Sequence, residues 1–353
     1  MIWRNTKESP FRTDGFAFFE KDGIYRRMPV NPEIKLPEAV DGLSNETAGG
    51  QIRFHGILKH LEVRVRLSDK PLFFDNIKAP HLSDVSKQSL DLYLSKDGRE
   101  FIFYDVSKNM SGEKEYTRIL IDFEKSEEYD FLLNFPTYGA VEEVLIGTDD
   151  DAVISESIHK YDSDKKIVIY GSSIQQGACA SRPGMATGAL LSRWLNTEVY
   201  NMGFSSSGRA EDEVAGQLAE IENTAVLVIS VEGNCPDSDW LNSYLSSFID
   251  VYRKKNPETP IIIMPFIISG ADFIDTKRRK RHETARRIQE NIVRQKTYEG
   301  DKNIYLLWQE SDVENEYDGH SVWHEITVDG LHYNDLGFFA TAKPLYRLIK
   351  KLI

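Results

Sequence analysis

Residues 166–177 of the chain read KIVIYGSSIQQG. The run Ile167–Tyr170 is uniformly apolar rather than alternating, which is typical of a strand buried on both faces of a parallel sheet. Gly171 and two serines follow it directly. A serine on a tight strand-to-helix turn has its hydroxyl raised at the sheet edge, beside a helix N-terminus that favours negative charge. This stretch predicts an α/β fold with Ser173 as a candidate nucleophile, although a loop or capping serine would leave the same pattern.

Four more apolar runs follow, and longer amphipathic or polar stretches separate them: EVYNMGF, AVLVISVE, PIIIMPF and NIYLLWQ. Apolar strands that alternate with helices indicate a parallel sheet covered on both faces. In such sheets the functional groups lie at the carboxyl ends of the strands, where the loops converge. We therefore predict an α/β domain over residues 161–353.

Two of these strand ends carry groups suited to holding a negatively charged oxygen. Gly203 ends the second run, and a glycine lets the backbone come close enough to a ligand for its N–H to donate a hydrogen bond. Asn234 follows the third run, and its amide is a second candidate donor to the same oxygen. The structural alternatives are a turn glycine for Gly203 and an Asx-turn or helix cap for Asn234.

Near the C-terminus, TVDGLHYND places Asp329 and His332 three residues apart on a predicted loop. A serine hydroxyl is a poor nucleophile at neutral pH, so it needs a base, and the base needs a partner that fixes its tautomer. Each signal is weak alone. Together, at predicted strand ends and converging loops, they predict a catalytic triad of Ser173, His332 and Asp329.

The chain before about residue 160 has the pattern of an all-β domain. Leu61–Ser68, LEVRVRLS, alternates apolar and polar residues with the period of a half-buried strand. SLDLYLSKDGREFIFYD contains two strand-like runs around a plausible turn at residues 96–98. Several short strands with almost no helical periodicity predict an antiparallel sandwich or jelly roll over residues 1–160.

The motifs after residue 160 resemble the four blocks of the SGNH (GDSL-type) hydrolases. The matching positions are GSSI with its serine at Ser173, then Gly203, Asn234, and DGLH with Asp329 and His332. The resemblance covers nearly all of residues 165–353 and implies a three-layer, flavodoxin-like domain. It also implies that the Ser173 N–H, the Gly203 N–H and the Asn234 amide form the oxyanion hole.

Two positions depart from the pattern of that family. Ser172 stands where an aspartate is usual, and a serine can still cap the following helix. Gly233 directly precedes Asn234 instead of standing two residues before it, so the expected placement of the Asn234 amide depends on this altered spacing.

Three motifs in the first half resemble the GxDLY-type domain that precedes a subgroup of SGNH esterases. They are YRRMP at Tyr25–Pro29, AGGQIRF at Ala48–Phe54 and SLDLY at Ser89–Tyr93. Ser89 replaces the glycine after which the motif is named. The resemblance implies a jelly roll that packs beside the active site and shapes its rim.

Composition excludes several other classes of protein. The formal net charge of −13 disfavours binding to a phosphate backbone. The basic run Lys277–Arg281 opens a helical pattern, and we interpret it as a solvated helix face rather than a nucleic-acid site. No apolar run approaches the ~18 residues that span a bilayer. With two cysteines and no visible signal peptide, the expected location is the cytoplasm.

The resemblance implies a carboxylic ester hydrolase that needs neither a metal nor an organic cofactor. The expected substrate is a small-molecule or oligosaccharide ester, with a carbohydrate O-acetylesterase as first choice. A lipid or thioester acyl hydrolase and an inert carbohydrate-binding protein remain as alternatives. Candidate substrate contacts are Ser172, Trp323 and His324, with Trp308 and His320 nearby; ordinary packing is the other explanation for these aromatic residues. Homo-oligomerisation is expected by analogy only.

Overall fold

The computed structural model of the chain describes residues 1–68, 79–109, 113–309 and 324–353. Backbone contacts divide the chain into two compact units, neither of which is continuous in sequence. The first unit comprises Met1–Val30, Gly42–Ser163 and Ala180–Tyr200, and the second comprises Asn31–Asp41, Asp164–Cys179 and Asn201–Ile353. A compact unit is not the same as a folding domain, so the domain boundary at residue 160 stays a prediction.

Among the described residues of the first unit, eight strands form an antiparallel sheet, which confirms the predicted antiparallel β character. Its strands are β1 (Ile2–Asn5), β2 (Arg12–Asp14), β3 (Gln51–Leu67), β4 (Asp91–Ser95), β5 (Ile102–Val106), β6 (Glu115–Asn134), β7 (Val141–Thr148) and β8 (Val153–Ser155). They lie in the order β1-β7-β3-β6-β4-β5, with β2 and β8 also pairing with β3. Alternate residues of β3, among them Leu61, Val63 and Val65, are buried in the apolar core.

The GxDLY-like motif holds residues 180–200 to the first unit. The buried Asp91 carboxylate accepts hydrogen bonds from Arg182 Nη1 at 3.0 Å, the Gly184 N–H at 2.7 Å and Asn134 Nδ2 at 2.7 Å. Arg182 also donates to the Tyr93 hydroxyl. Asp91 and Tyr93 of the motif therefore bind residues 182–184, which follow Ser173 in sequence.

In the part of the chain that the structure describes, a second sheet has five strands with helices between them, which is an α/β arrangement. Its strands are β9 (Lys166–Gly171), β10 (Glu198–Gly203), β11 (Thr224–Ser230), β12 (Ile261–Ile263) and β13 (Ile304–Leu306). They lie in the order β10-β9-β11-β12-β13, and the pairs β9–β11, β11–β12 and β12–β13 are parallel. This 2-1-3-4-5 order is that of flavodoxin-like doubly wound sheets, and it confirms the predicted parallel sheet.

Helices accompany both sheets. They are α1 (Phe19–Asp22), α2 (Glu38–Leu43), α3 (Asp84–Gln88), α4 (Ser173–Gln176), α5 (Thr187–Leu195), α6 (Asp212–Leu218), α7 (Ser238–Arg253), α8 (Gly270–Ile274), α9 (Thr276–Tyr298) and α10 (Asp335–Leu352). Among the described residues, no helix combines the length and the apolar character needed to cross a membrane.

Candidate active site

Ser173 is the first residue of α4, immediately after the carboxyl end of β9. The helix begins here because Ser172 caps it: Ser172 Oγ accepts from the Ile174 N–H at 3.3 Å, and Gln175 Oε1 accepts from the Ser172 N–H at 3.1 Å. Such a reciprocal capping box satisfies N–H groups that have no partner within the helix. Ser172 is only 1% exposed, so its predicted substrate contact has no support in this geometry. Ser173 remains half-buried, with its hydroxyl at the sheet edge.

Asp329 and His332 lie on a tight loop that a short antiparallel bridge between Thr327 and Tyr333 closes, just before helix α10. Asp329 Oδ1 accepts from the Leu331 N–H at 2.9 Å and from the His332 N–H at 2.8 Å. An aspartate that binds backbone N–H groups two and three residues ahead closes an Asx-turn. The Asp329 carboxylate therefore shapes the loop that carries the imidazole.

The structure brings the three predicted triad residues together, although Ser173 and His332 are 159 positions apart in sequence. Ser173 Oγ lies 2.9 Å from His332 Nε2, and His332 Nδ1 lies 2.8 Å from Asp329 Oδ2. With a carboxylate beside Nδ1, that nitrogen carries the proton and Nε2 is left to accept the serine proton.

The electrostatics of the loop keep Asp329 ionised. Burial raises the pKa of the Asp329 carboxyl, but hydrogen bonds from the His332 ring and from the His332 and Leu331 N–H groups outweigh burial and lower it below its usual range. A negatively charged group therefore faces His332 Nδ1 at neutral pH. It can stabilise the imidazolium that forms when the ring takes up a proton.

Gly203, at the end of β10, packs closely against the helix of the nucleophile. A Cβ at this position would lie 2.2 Å from the Gln176 backbone nitrogen, so only glycine fits without a shift of the backbone. The Gly203 N–H donates to Asn201 Oδ1 at 2.9 Å, and Asn201 Nδ2 donates to the Gln175 carbonyl at 2.8 Å. Asn201, which sequence reasoning missed, joins β10 to α4. An oxyanion contact from the Gly203 N–H would require this N–H to leave Asn201.

Asn234 lies in a 3₁₀ turn, Glu232–Asn234, just after β11. Its Nδ2 donates to the Phe204 carbonyl at 3.0 Å and to the Gly208 carbonyl at 3.1 Å. Both amide hydrogens are thus directed at the loop that follows β10. The side chain holds this loop, and one of the two bonds must open before the amide can bind an oxyanion.

Glu232 is a buried carboxyl in the same turn, and no motif pointed to it. Its Oε2 accepts from the Phe266 N–H at 3.1 Å and from Gln289 Nε2 at 2.8 Å, while Oε1 is buried without a hydrogen bond among the described residues. Burial raises the pKa of Glu232 to about 7, although both hydrogen bonds act to lower it. The turn that carries Asn234 is therefore built on a carboxyl that is half-protonated near neutral pH.

We expect Glu232→Gln to stabilise the protein increasingly as the pH rises from 5 to 8. The unfolded glutamate ionises near pH 4.5, but the folded one retains its proton to about pH 7, so wild-type stability declines across this window. A glutamine has no proton to lose and its oxygen can accept both existing hydrogen bonds. The gain in the free energy of unfolding should grow by about 1–3 kcal/mol between pH 5 and pH 8.

Urea unfolding at the two pH values measures this gain. Glu220→Gln is the matched control, because Glu220 is exposed and pairs with Lys255. A Glu232→Gln gain that is the same at both pH values would contradict the assignment of a raised pKa to this carboxyl.

The structure describes two of the four candidate aromatic residues, Trp308 and His324. Trp323 and His320 lie outside the described residues. His324 is exposed and its ring meets Phe273 edge-on at 5.5 Å. Trp308 is covered by the Arg286 guanidinium, 4.3 Å from its ring centroid. Substrate contacts by His324 and Trp323 stay predictions.

Comparison with known proteins assigns the chain to a family. The family model described as GDSL-like lipase/acylhydrolase matches residues 164–350. The chain belongs to this family. A second model, the N-terminus of SGNH hydrolase-type esterases, GxDLY, matches residues 1–154. Both resemblances seen in the sequence are thereby confirmed. None of the curated proteins matches the chain.

Three solved structures resemble the chain over nearly its full length. A Bacteroides ovatus protein assigned as a GDSL-like lipase is 30% identical with a TM-score of 0.87, covering 100% of this chain and 98% of its own. The salicylyl-acyltransferase SsfX3 of a tetracycline biosynthetic pathway is 17% identical with a TM-score of 0.72, covering 99% and 97%. An acetyl xylan esterase from Butyrivibrio proteoclasticus, Est2A, is 12% identical with a TM-score of 0.57, covering 99% of both chains. At these lower identities the last two show the shared fold alone.

Proposed function

We propose that the protein is a serine esterase that hydrolyses short-chain acyl esters, chiefly acetyl esters, on carbohydrates. One observation carries the catalytic part of this proposal: the chain of contacts from Ser173 Oγ to His332 Nε2 at 2.9 Å and from His332 Nδ1 to Asp329 Oδ2 at 2.8 Å. A hydroxyl, an imidazole and a carboxylate in this order make up the nucleophile, base and orienting acid of a serine hydrolase.

The mechanism follows from these contacts. His332 Nε2 takes the Ser173 proton as Oγ attacks the ester carbonyl, and a tetrahedral intermediate forms. His332 then gives the proton to the departing alcohol, which leaves an acyl group on Ser173. Water, deprotonated by the same nitrogen, attacks the acyl-enzyme, and Ser173 recovers its proton as the acid leaves. Every group that reacts in these steps comes from the chain, the substrate or water.

The oxyanion of the intermediate would be held by the Ser173 N–H, the Gly203 N–H and the Asn234 amide. Ser173 is the first helical residue of α4, and an N–H in that position has no acceptor within its helix. Gly203 and Asn234 would join it by exchanging their present acceptors, Asn201 and the carbonyls of the loop after β10, for the charged oxygen. A charge-assisted hydrogen bond is roughly twice as strong as a neutral one, which favours this exchange in the intermediate.

The second part of the proposal concerns the substrate, an acetyl ester of a carbohydrate. It is supported by the fold shared with an acetyl xylan esterase and with carbohydrate esterases of family two, from Cellvibrio japonicus among others.

We further propose that the N-terminal β domain is a jelly roll. We also propose that the chain forms homo-oligomers, and sedimentation velocity would measure their size.

A longer acyl chain is the second candidate, and an apolar rim near the catalytic loop favours it. Helix α8 lies close to this loop: a Cβ at Gly330 would be 3.6 Å from Ala271 Cβ. On α8, Phe273 is 52% and Ile274 is 88% exposed, and Leu331 beside His332 is 36% exposed. Exposed apolar side chains at the edge of a site suit an apolar ligand.

The two candidates differ in their preference for acyl length. We expect 4-nitrophenyl acetate to be hydrolysed with a higher kcat/KM than 4-nitrophenyl octanoate, and acetate to be released from acetylated oligosaccharides. A preference for octanoate would support the lipid candidate instead. Binding of oligosaccharides without hydrolysis of any ester would indicate a carbohydrate-binding protein.

A further inference from the structure

Arg278 occupies the first turn of α9, within the basic run Lys277–Arg281. Its Nε donates to Asp272 Oδ1 at 3.0 Å, and its Nη2 donates to the carbonyl oxygen of Gly330. The side chain is only 23% exposed. The interpretation of the whole run as a solvated helix face is therefore wrong for Arg278, which joins two buried or half-buried groups.

Asp272 is a rigid partner for this guanidinium. Its carboxylate has no exposed surface, and Oδ2 accepts from the Ser269 N–H at 2.9 Å in the capping box of α8. His282 Nδ1 lies 3.0 Å from the same Oδ1 that Arg278 binds. A buried carboxylate that also accepts from the Ser269 N–H and hydroxyl holds one end of the guanidinium in place.

Gly330 stands between Asp329 and His332, and its φ of +83° is in the left-handed region that favours glycine. A hydrogen bond from the Val328 N–H to the His332 carbonyl, at 2.9 Å, joins the two ends of the loop. At its tip, the Gly330 carbonyl is held from outside the loop by Arg278.

We propose that Arg278, held by Asp272, is a positioning residue that fixes the loop carrying both the orienting acid and the base. The inference rests on the proposed function of this loop. Misplacing a catalytic group by about 1 Å can cost about 10²-fold in rate, and a loop tip that loses its outside contact is free to move by that much. Arginine suits this position because two different nitrogens of one planar group, Nε and Nη2, donate to the two acceptors, whereas all three donors of a lysine are on one nitrogen.

Kinetics of Arg278→Ala and Arg278→Lys test this assignment. We expect both to lower kcat for 4-nitrophenyl acetate by about 10–100-fold with KM within about twofold of wild type. Added guanidinium ion should restore part of the activity of Arg278→Ala but not of Arg278→Lys, whose ammonium occupies the space. Arg279→Ala is the matched control, because Arg279 is 46% exposed and pairs with Glu283 along the helix; it should retain wild-type rates.

A second measurement does not depend on activity. In protein labelled with ¹⁵N-histidine, the His332 ring should give one sharp set of signals in wild type and broadened or multiple signals in Arg278→Ala. Unchanged His332 signals, a kcat of Arg278→Ala within twofold of wild type, or full activity of Arg278→Lys would each overturn the assignment. If wild type hydrolyses no ester, the proposed function fails, and the ring signals alone decide whether Arg278 orders the loop.

Discussion

Replacing Ser173 with alanine should lower kcat for 4-nitrophenyl acetate by about 10⁵-fold. The substitution removes the attacking atom, Ser173 Oγ, which lies 2.9 Å from His332 Nε2, so no acyl-enzyme can form. The fold should be unaffected, because the cap of α4 depends on the side chains of Ser172 and Gln175. Steady-state kinetics and the melting temperature together measure the two effects.

Ser243→Ala is the matched control, since Ser243 is an exposed serine of α7. It should retain both wild-type turnover and the wild-type melting temperature. Equal ester hydrolysis by the wild-type and Ser173→Ala proteins would remove Ser173 from the reaction and leave the carbohydrate-binding alternative.

Asp329→Asn should lower kcat by about 10³–10⁴-fold while leaving the loop folded. The amide oxygen can replace Oδ1 as acceptor for the N–H groups of Leu331 and His332, at 2.9 and 2.8 Å. The amide nitrogen then faces His332 Nδ1 and donates to it, which places the imidazole proton on Nε2. In this tautomer the ring cannot accept the proton of Ser173.

Asp329→Ala separates the two roles of this carboxylate. It should lose comparable activity and also melt at a lower temperature, because two backbone N–H groups lose their acceptor. Asp239→Asn, at an exposed position of α7, is the control for the change of charge. Undiminished activity of Asp329→Asn would mean that another group orients the base.

Much of the architecture could be predicted because the burial of a strand determines which of its positions are apolar. A strand covered on both faces must be apolar at every position, as Ile167–Tyr170 is, and a half-buried strand must alternate, as Leu61–Ser68 does. Parallel strands end at one edge of their sheet, so groups that follow them must lie near one another. Together with the need of a serine nucleophile for a base and an orienting acid, this reasoning predicts that Ser173 meets His332 and Asp329.

The contacts around the site could not be predicted in the same way, because they depend on atoms rather than on pattern. The present acceptors of the Gly203 N–H and the Asn234 amide follow from the path of a loop that has no periodic signal. Glu232 resembles any acidic residue of a turn until its burial is known. Arg278 stands in a run of five basic residues, and the positions of Asp272 and Gly330 distinguish it from the exposed Arg279.

The division of the chain has a consequence for how such proteins can be rearranged in evolution. Residues 180–200 belong to the first unit, where Asp91 binds Arg182 and Gly184. In sequence, however, they follow Ser173, which belongs to the second unit. A gene broken near residue 160 would separate Asp91, whose side chain has no exposed surface in the intact chain, from its cationic partner Arg182 and from the Gly184 N–H, and would leave it the hydrogen bond from Asn134. Losing the partner of such a group costs about 3–5 kcal/mol, a large part of the stability of a typical domain. We therefore expect that neither half of the chain is exchanged alone between proteins, and that gene rearrangements transfer the two halves together.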